Sequence, residues 1–241
     1  MKSEFYPCNI RLVLKQFTNL VGYLNTKDMG TLKNGASGGF SGKAGSFVGY
    51  RTYGKDRIRG LPKLSNKPPT EKQLINIARF KLIQEWRSYL TPVFAVTFKN
   101  HSYERSAQNA AHRFNSGIVI GEYPNFEIDP SLAIISEGKL PQLKELKMQV
   151  VDQNQLDFSW STQHNPGSAA HDLITILICY DQMNYYEGSL SIAQRADGKC
   201  SYSLQYPKNT LYADIYITVI SNNRENAANS VYVGRVNLTS N

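Results

Sequence analysis

The chain has 241 residues, of which 41% are hydrophobic and 11% aromatic, and this is enough apolar material for one large folded domain or two small ones. A wholly disordered chain is therefore excluded. The formal net charge of +8 fits either an anionic partner or a role in solubility, whereas the 3 cysteines, without metal-type spacing, argue against a disulfide framework.

The first segment, residues 1–28, has an apolar stretch that Arg11, Lys15 and Gln16 interrupt. Such a stretch fits a secretory signal poorly, and no run in the chain approaches the roughly 18 apolar residues of a membrane span. Because Met29 and Gly30 read as a natural start, we expect residues 1–28 to be an upstream extension that packs poorly. Without a recognisable signal peptide the localisation stays unknown, with the cytoplasm as the default.

The segment from Gly30 to Gly60 is unusual because it holds nine glycines and because its six cations outnumber one acid. The pattern predicts a strand over Ser46–Tyr53, a turn over Tyr53–Asp56 and a returning strand over Arg57–Leu61, which together make a β-hairpin. From Met29 to Lys72 nine cations outnumber two acids, a net charge of +7. The residues that we predict to bind a partner are Lys43, Tyr50, Arg51, Tyr53, Lys55, Arg57 and Arg59.

A phosphate-binding loop is the alternative for Gly38–Ala44, because this segment contains a Gly-Lys pair. Such a loop needs Ser or Thr directly after the lysine to reach magnesium, but Ala44 stands there. No clear apolar strand precedes the segment and no long helix follows it. We therefore predict no nucleotide site and no cofactor.

Two packed helices are predicted after the proline-rich stretch that ends at Pro69. Thr70 and Gln73 form a capping-box pattern at the start of the first helix, which Thr91-Pro92 ends. A second helix is predicted over residues 103–118, Val93–Phe98 as a short strand or connector, and Phe126–Ile135 as two short strands. Residues 29–139 would thus form a basic, glycine-rich hairpin and helical region.

From Leu140 onward the pattern predicts seven short strands separated by turns every eight to twelve residues. The sequence therefore indicates an α+β fold in which the hairpin and two helices are followed by an antiparallel β-sandwich over residues 140–241. Because no cysteine pair brackets Trp160, a true immunoglobulin domain is excluded.

The sandwich region resembles fibronectin type III domains. Phe158-Ser159-Trp160 ends its second strand and Tyr212 opens its sixth, and in that family a tryptophan and a tyrosine at such places anchor the core. The prolines usual after the tryptophan are replaced by Ser161-Thr162-Gln163, so the resemblance is architectural. It implies an adhesive or spacing module, although fold alone does not give function.

Residues 29–241 also resemble an uncharacterised bacterial family, a domain of unknown function. The motifs are MGTLKNG (Met29–Gly35), GGFSGKAGSFVGY (Gly38–Tyr50), Arg59–Pro62, NKPPTEKQ (Asn66–Gln73) and Arg79-Phe80. The resemblance implies no activity, since none is established for the family. It favours Met29 as the start, because residues 1–28 lie outside it.

Catalysis is not expected, because the four histidines are dispersed and no HExxH, GxSxG or paired-cysteine motif occurs. No metal or catalytic residues are therefore predicted. We expect a non-catalytic structural or interaction protein that binds a protein partner, or assembles with itself, through the basic N-terminal region. Nucleic-acid binding by the same basic hairpin is the alternative, since cations beside tyrosines suit phosphates and bases.

Overall fold

A computed structural model describes residues 31–32, 38–63, 66–103, 105–152, 154–181, 185–205 and 210–238. The chain divides into two compact units, Met1–Lys67 and Pro68–Asn241. The described residues form three α-helices and several antiparallel sheets, so the predicted mixture of helices and antiparallel strands is confirmed. None of these helices has the length and apolar character needed to cross a membrane. The predicted extension, residues 1–28, lies outside the described residues.

The first unit contains one antiparallel sheet in the order β1-β2-β3-β4. Its strands are β1 (Thr31–Leu32), β2 (Phe40–Ala44), β3 (Phe47–Thr52) and β4 (Lys55–Gly60). Strands β3 and β4 are joined by Tyr53 and Gly54, whose φ angles of 48° and 75° are both positive. Two positive φ angles are what a tight hairpin turn of the I′ type requires.

The second unit begins with three helices, α1 (Glu71–Tyr89), α2 (Thr91–Thr97) and α3 (Ala107–Phe114). The predicted capping box at the start of α1 is present. The Thr70 N–H donates to Gln73 Oε1 at 2.9 Å, and the Gln73 N–H donates to Thr70 Oγ1 at 3.4 Å. These bonds satisfy backbone groups that the first turn of a helix leaves free.

The expectation of a strand or connector over Val93–Phe98 is wrong, because α2 occupies this segment. Proline in the first turn of α2 presets the helical φ angle. Leu90, Phe94 and Phe98, at four-residue spacing, are all fully buried. The alternating apolar residues of Val93–Phe98 suggested a strand. Burial of Leu90, Phe94 and Phe98 on one side instead favours a helix, because residues four apart lie on the same face of a helix.

Two further segments differ from the sequence prediction. The helix predicted over residues 103–118 is shorter, since α3 begins only after the N-cap Ser106, whose side chain accepts from the Asn109 N–H at 3.2 Å. A hairpin of β5 (Val119–Glu122) and β6 (Asn125–Ile128) follows it. The second strand predicted around Asp129-Pro130 is instead a 3-10 turn over Pro130–Leu132.

The remaining strands form a four-stranded sheet, β10-β9-β12-β13, and a three-stranded sheet, β11-β8-β7. They are β7 (Lys144–Asp152), β8 (Gln155–Ser161), β9 (Leu173–Tyr180), β10 (Tyr186–Gln194), β11 (Lys199–Ser203), β12 (Tyr212–Ile220) and β13 (Val231–Asn237). Leu156, Phe158 and Trp160 of β8 point into one core with Ile176 and Ile178 of β9. The two sheets therefore share an apolar core, as the layers of a β-sandwich do.

A second core lies on the other side of β9 and β12. Leu177 and Cys179 of β9 and Tyr216 of β12 belong to the same buried cluster as Trp86 and Phe94 of the helices. Every residue of β9 is buried, because alternate side chains enter the two different cores. The predicted domain boundary after residue 139 stays a prediction, and the helices and both sheets lie in the same compact unit.

A buried arginine holds one end of the sandwich together. The Arg195 side chain donates to Asp172 Oδ2 at 3.2 Å and to the Pro141 carbonyl at 2.7 Å. The Trp160 indole N–H donates to the Arg195 carbonyl at 2.8 Å. A buried charge is costly unless it is paired in this way, so these bonds join β8 to the segments that precede β7 and β9.

We predict that Phe94→Ala destabilises the protein by about 3–5 kcal/mol, because the ring is fully buried and its removal leaves a cavity. Chemical denaturation followed by circular dichroism measures the change. Phe80→Ala is the matched control, since Phe80 is 52% exposed, and it should cost less than about 1 kcal/mol. Equal losses for the two variants would contradict the burial of α2.

Candidate interaction site

The register of the first sheet sorts the predicted binding residues between its two faces. Val48 lies opposite Lys43 on one side and Arg59 on the other, and Tyr50 lies opposite Arg57. Residues directly opposite in antiparallel strands point to the same face, and so do residues two apart in one strand. One face, which we call the cationic face, therefore carries Lys43, Tyr50, Lys55, Arg57 and Arg59.

Arg51 does not join this group. It lies opposite Asp56 on the other face, where its Nε is 3.9 Å from Asp56 Oδ1 and its Nη2 donates to the Gly54 carbonyl at 3.3 Å. Tyr53 stands in the turn between β3 and β4. Five of the seven predicted residues thus share a face, and Asp56, the only acid between Met29 and Thr70, faces the other way.

The cationic face combines exposed charge with one tyrosine ring. The Arg59 guanidinium lies 5.7 Å from the centre of the Tyr50 ring, a distance at which the ring attracts a cation. All four cationic side chains of this face belong to exposed residues. Four like charges on so small a surface repel each other, and this repulsion is relieved when an anionic surface approaches.

Glycines allow the chain to cover the other face of the sheet very closely. A Cβ atom on Gly49 would lie 2.3 Å from the Phe40 carbonyl oxygen, and one on Gly39 would lie 2.2 Å from Asp56 Cγ. Only residues without a Cβ permit this approach. The segment Gly39–Phe40 therefore lies against the face of β3 and β4 that carries Asp56, opposite the cationic face.

Strand β4 is the last strand of its sheet among the described residues. The Leu61 N–H donates to the Ser46 carbonyl at 2.8 Å, which shows that the N–H of this residue points toward β3. Because N–H directions alternate along an antiparallel strand, the N–H groups of Asp56, Ile58 and Gly60 point away from β3. The edge of β4 can therefore pair with another extended chain.

The other candidate chemistry is not brought together. The Gly38–Ala44 segment, weighed as a phosphate loop, is mostly strand β2 and leads to β3 rather than to a helix. His101 contacts the Glu137 carboxylate, whereas His112 packs against Phe80 with ring centres 4.5 Å apart. Among the residues that the structure describes, no three His, Cys, Asp or Glu side chains are grouped as metal ligands.

The two described cysteines are free thiols on different strands. Burial raises the pKa of Cys200 to about 11 and raises the pKa of Cys179 further. A raised pKa keeps a thiol protonated and unreactive at neutral pH. Both cysteines therefore act as apolar packing residues.

The sequence identifies the cations but neither their division between two faces nor the position of β4 as the last described strand of its sheet. The signal was present, since Lys55, Arg57 and Arg59 alternate with Asp56, Ile58 and Gly60. A period of two places such cations on one face once the segment is known to be a strand. The close approach of Gly39 and Gly49 has no comparable signal, because many glycines occur here.

Comparison with known proteins gives a match to a family of unknown function. The model of a family described as a family of unknown function, DUF6266, matches residues 39–234. The predicted membership of an uncharacterised family is therefore confirmed, while the motif at residues 29–35 lies before the match. No curated protein sequence matches the chain.

Solved structures similar to this chain include fibronectin type III domains. The FN1–FN3 domains of chicken CNTN1 are 8% identical with a TM-score of 0.33, and the match covers 44% of this chain and 34% of that one. The fn3 domain of the human collagen alpha-1(XX) chain is 13% identical with a TM-score of 0.29, covering 39% of this chain and 80% of that one. A structure described as a myokine is 10% identical with a TM-score of 0.29, and the match covers 42% of this chain and 98% of that one.

We predict that Gly49→Ala disrupts the first sheet, because its new methyl group would collide with the Phe40 carbonyl, which is backbone and cannot move alone. Gly60→Ala is the matched control in the same sheet, since no atom lies within 4 Å of a Cβ there. Amide NMR signals of residues 38–63 should lose their dispersion in the first variant and keep it in the second. A well-dispersed Gly49→Ala sheet would contradict the close approach.

Proposed function

The chain belongs to the DUF6266 family of unknown function, and we propose that it is a non-catalytic interaction protein that binds an acidic, extended segment of a partner chain along its N-terminal sheet. The partner is another protein or a second copy of this chain. The single observation that carries the proposal is the separation of charge, with Lys43, Lys55, Arg57 and Arg59 on one face and Asp56 on the other.

The charge on the cationic face supports attraction of an acidic partner over a short range. At physiological salt, exposed charges are screened beyond about 8 Å, so the four cations act on a surface that comes into contact. Such complementarity raises the association rate and fixes the orientation more than it raises affinity. The affinity for the partner must then come from a further interaction within the same interface.

The edge of β4 can supply that part. A partner strand that adds to β4 would accept hydrogen bonds from the outward N–H groups of Asp56, Ile58 and Gly60, and its side chains would extend the two faces of the sheet. Acidic side chains on the partner strand would then lie beside Arg57 and Arg59 at the distance of cross-strand pairs. Main-chain pairing and charge thus favour the same kind of ligand, an acidic extended polypeptide.

The second unit fits the role of a carrier. We interpret its four-stranded and three-stranded sheets as a seven-stranded sandwich of the fibronectin type III type. A rigid module of this size presents an attached binding segment without taking part in chemistry. The role that we propose therefore needs no catalytic group and no cofactor.

Nucleic-acid binding is the second candidate, and a specific observation favours it. Arg59 lies over the Tyr50 ring on the cationic face, and Lys55, Arg57 and Arg59 follow one another at every second residue of β4. This spacing, about 6.8 Å for an extended strand, is suited to successive phosphates of a single strand, and the tyrosine could stack on a base. Stacking on Tyr50, which is 38% exposed, would contribute to binding of nucleic acid and not to binding of an acidic peptide.

We predict that replacing Lys43, Lys55, Arg57 and Arg59 together by glutamine abolishes binding of fluorescent polyglutamate measured by anisotropy at about 50 mM salt. The matched control replaces Lys139, Lys144, Lys147 and Lys199, four exposed lysines of the second unit, by glutamine. The two variants therefore have the same net charge. The control should bind as the natural chain does. Equal losses in both variants would show that net charge alone attracts the polyanion.

The same assay with single-stranded DNA separates the two candidates. If nucleic acid is the ligand, DNA binds more tightly than polyglutamate, and Tyr50→Leu weakens DNA binding by about tenfold because stacking is lost. If an acidic polypeptide is the ligand, Tyr50→Leu leaves polyglutamate binding unchanged. Sedimentation of the free chain shows whether a second copy is the partner.

We predict that Ile58→Pro weakens polyglutamate binding while the cations stay in place, because proline removes one outward N–H of β4 and blocks strand addition. The Ile58 side chain is 65% exposed, so its loss should cost little stability. Ile58→Thr is the control that keeps the N–H. Unchanged binding by Ile58→Pro, with a folded sheet by NMR, would restrict the contact to the cationic face.

A further inference from the structure

The face of the first sheet opposite the cationic face is apolar at one end. Phe47 lies opposite Gly60, and Ile58 lies two residues before Gly60 in β4, so these three residues share this face. Phe47 is 54% exposed and Ile58 is 65% exposed, and no atom lies within 4 Å of a Cβ built on Gly60. We call Phe47, Ile58 and Gly60 the apolar corner, an open gap above a glycine with exposed apolar side chains beside it.

The chain itself covers the part of this face that is nearer the hairpin turn. A Cβ atom on Gly39 would lie 2.2 Å from Asp56 Cγ, so the Gly39 backbone lies against the Asp56 side chain. A Cβ atom on Gly49 would lie 2.3 Å from the Phe40 carbonyl oxygen and 2.7 Å from Cδ2 of the Phe40 ring. Within residues 38–63, the apolar corner is therefore left open beside the edge of β4.

A strand that adds to β4 in antiparallel orientation would meet both faces at fixed positions. Because the N–H groups of Ile58 and Gly60 point outward, the partner residues opposite them would form hydrogen-bonded pairs. Partner residues opposite Arg57 and Arg59 would form non-hydrogen-bonded pairs, in which the side chains lie closer together. Alternate partner side chains would thus lie on the cationic face, and those between them would lie at the apolar corner.

The chemistry of the two faces selects different partner side chains. A carboxylate beside Ile58 would lose water without gaining a cation, and one beside Asp56 would meet a like charge. A large apolar side chain opposite Gly60 would fill the gap and contact Phe47 and Ile58. Cross-strand aromatic residues cover glycines at sheet edges in this way, and pairs of aromatic and branched side chains stabilise neighbouring strands.

From this geometry we infer that the segment bound along β4 alternates acidic and apolar residues, with acids opposite Arg57 and Arg59 and an aromatic residue opposite Gly60. The inference rests on the proposed function, since it requires strand addition to β4, and it adds the sequence chemistry of the partner. A second copy of β4 does not fit this pattern, because alternate residues of β4 are cationic.

Two fluorescent peptides of identical composition test the inference with the natural chain. One alternates, as Glu-Leu-Glu-Phe-Glu-Leu-Glu, and the other places all its glutamates before Leu-Phe-Leu. We expect the alternating peptide to bind about tenfold more tightly in an anisotropy titration, because its acids and its apolar side chains reach their matching faces together. Net charge and overall hydrophobicity cannot explain a difference, since the two peptides share both.

Two variants remove the apolar side chains and leave the cations in place. Phe47→Thr and Ile58→Thr should each weaken binding of the alternating peptide by about fivefold and leave polyglutamate binding unchanged. Leu32→Thr is the matched control, because Leu32 is also 54% exposed and lies opposite Phe40 on the same face, but in β1 at the far side of the sheet. It should bind the alternating peptide as the natural chain does.

The outcomes separate this inference from the proposed function. Equal binding of the two peptides, with both lost when Lys43, Lys55, Arg57 and Arg59 become glutamine, would overturn the inference and leave the proposed function standing. Equal losses in Leu32→Thr and Phe47→Thr would also overturn it. If the natural chain binds neither peptide and does not bind polyglutamate, the proposed function fails and the inference fails with it.

Discussion

Burial of two strands on both faces is the constraint on which the second unit depends. Strands β9 and β12 have alternate side chains in two cores, one shared with the three-stranded sheet and one shared with the helices. A strand in this position must be apolar at nearly every residue, as Leu173–Tyr180 is. The helices cannot separate from this sheet without exposing one of its apolar faces, so they belong to the same folded unit.

Much of the second unit could be predicted because its signals are local. A capping box, a proline after a helix and alternating apolar residues depend on neighbours within a few positions, and Thr70, Gln73 and Trp160 illustrate this. The short helix α2 could not be predicted, because its segment has the composition of a strand. Its helical form is stabilised by burial of Phe94 and Phe98 in a core cluster that also includes residues far along the chain, such as Leu177 and Tyr216.

The candidate sites were also only partly predictable from the sequence. The cations of the first sheet could be named from the sequence. The face on which each cation lies follows from the strand register, and the alternation of cations along the sequence indicates that face only once the segment is known to be a strand. A cavity of about 380 Å³ in the second unit, between α1, β6 and the ends of β9, β12 and β13, could not be predicted, because no short motif joins such distant segments.

The alternating cations of β4 also disfavour pairing of this edge with a second copy of the same strand. Two copies of β4 placed side by side would bring Lys55, Arg57 and Arg59 of one chain against the like charges of the other. Lysines and arginines at exposed edges act as gatekeepers that discourage growth of identical strands into fibrils. An edge that no further strand of the described residues covers can in this way stay available without becoming a nucleus for aggregation.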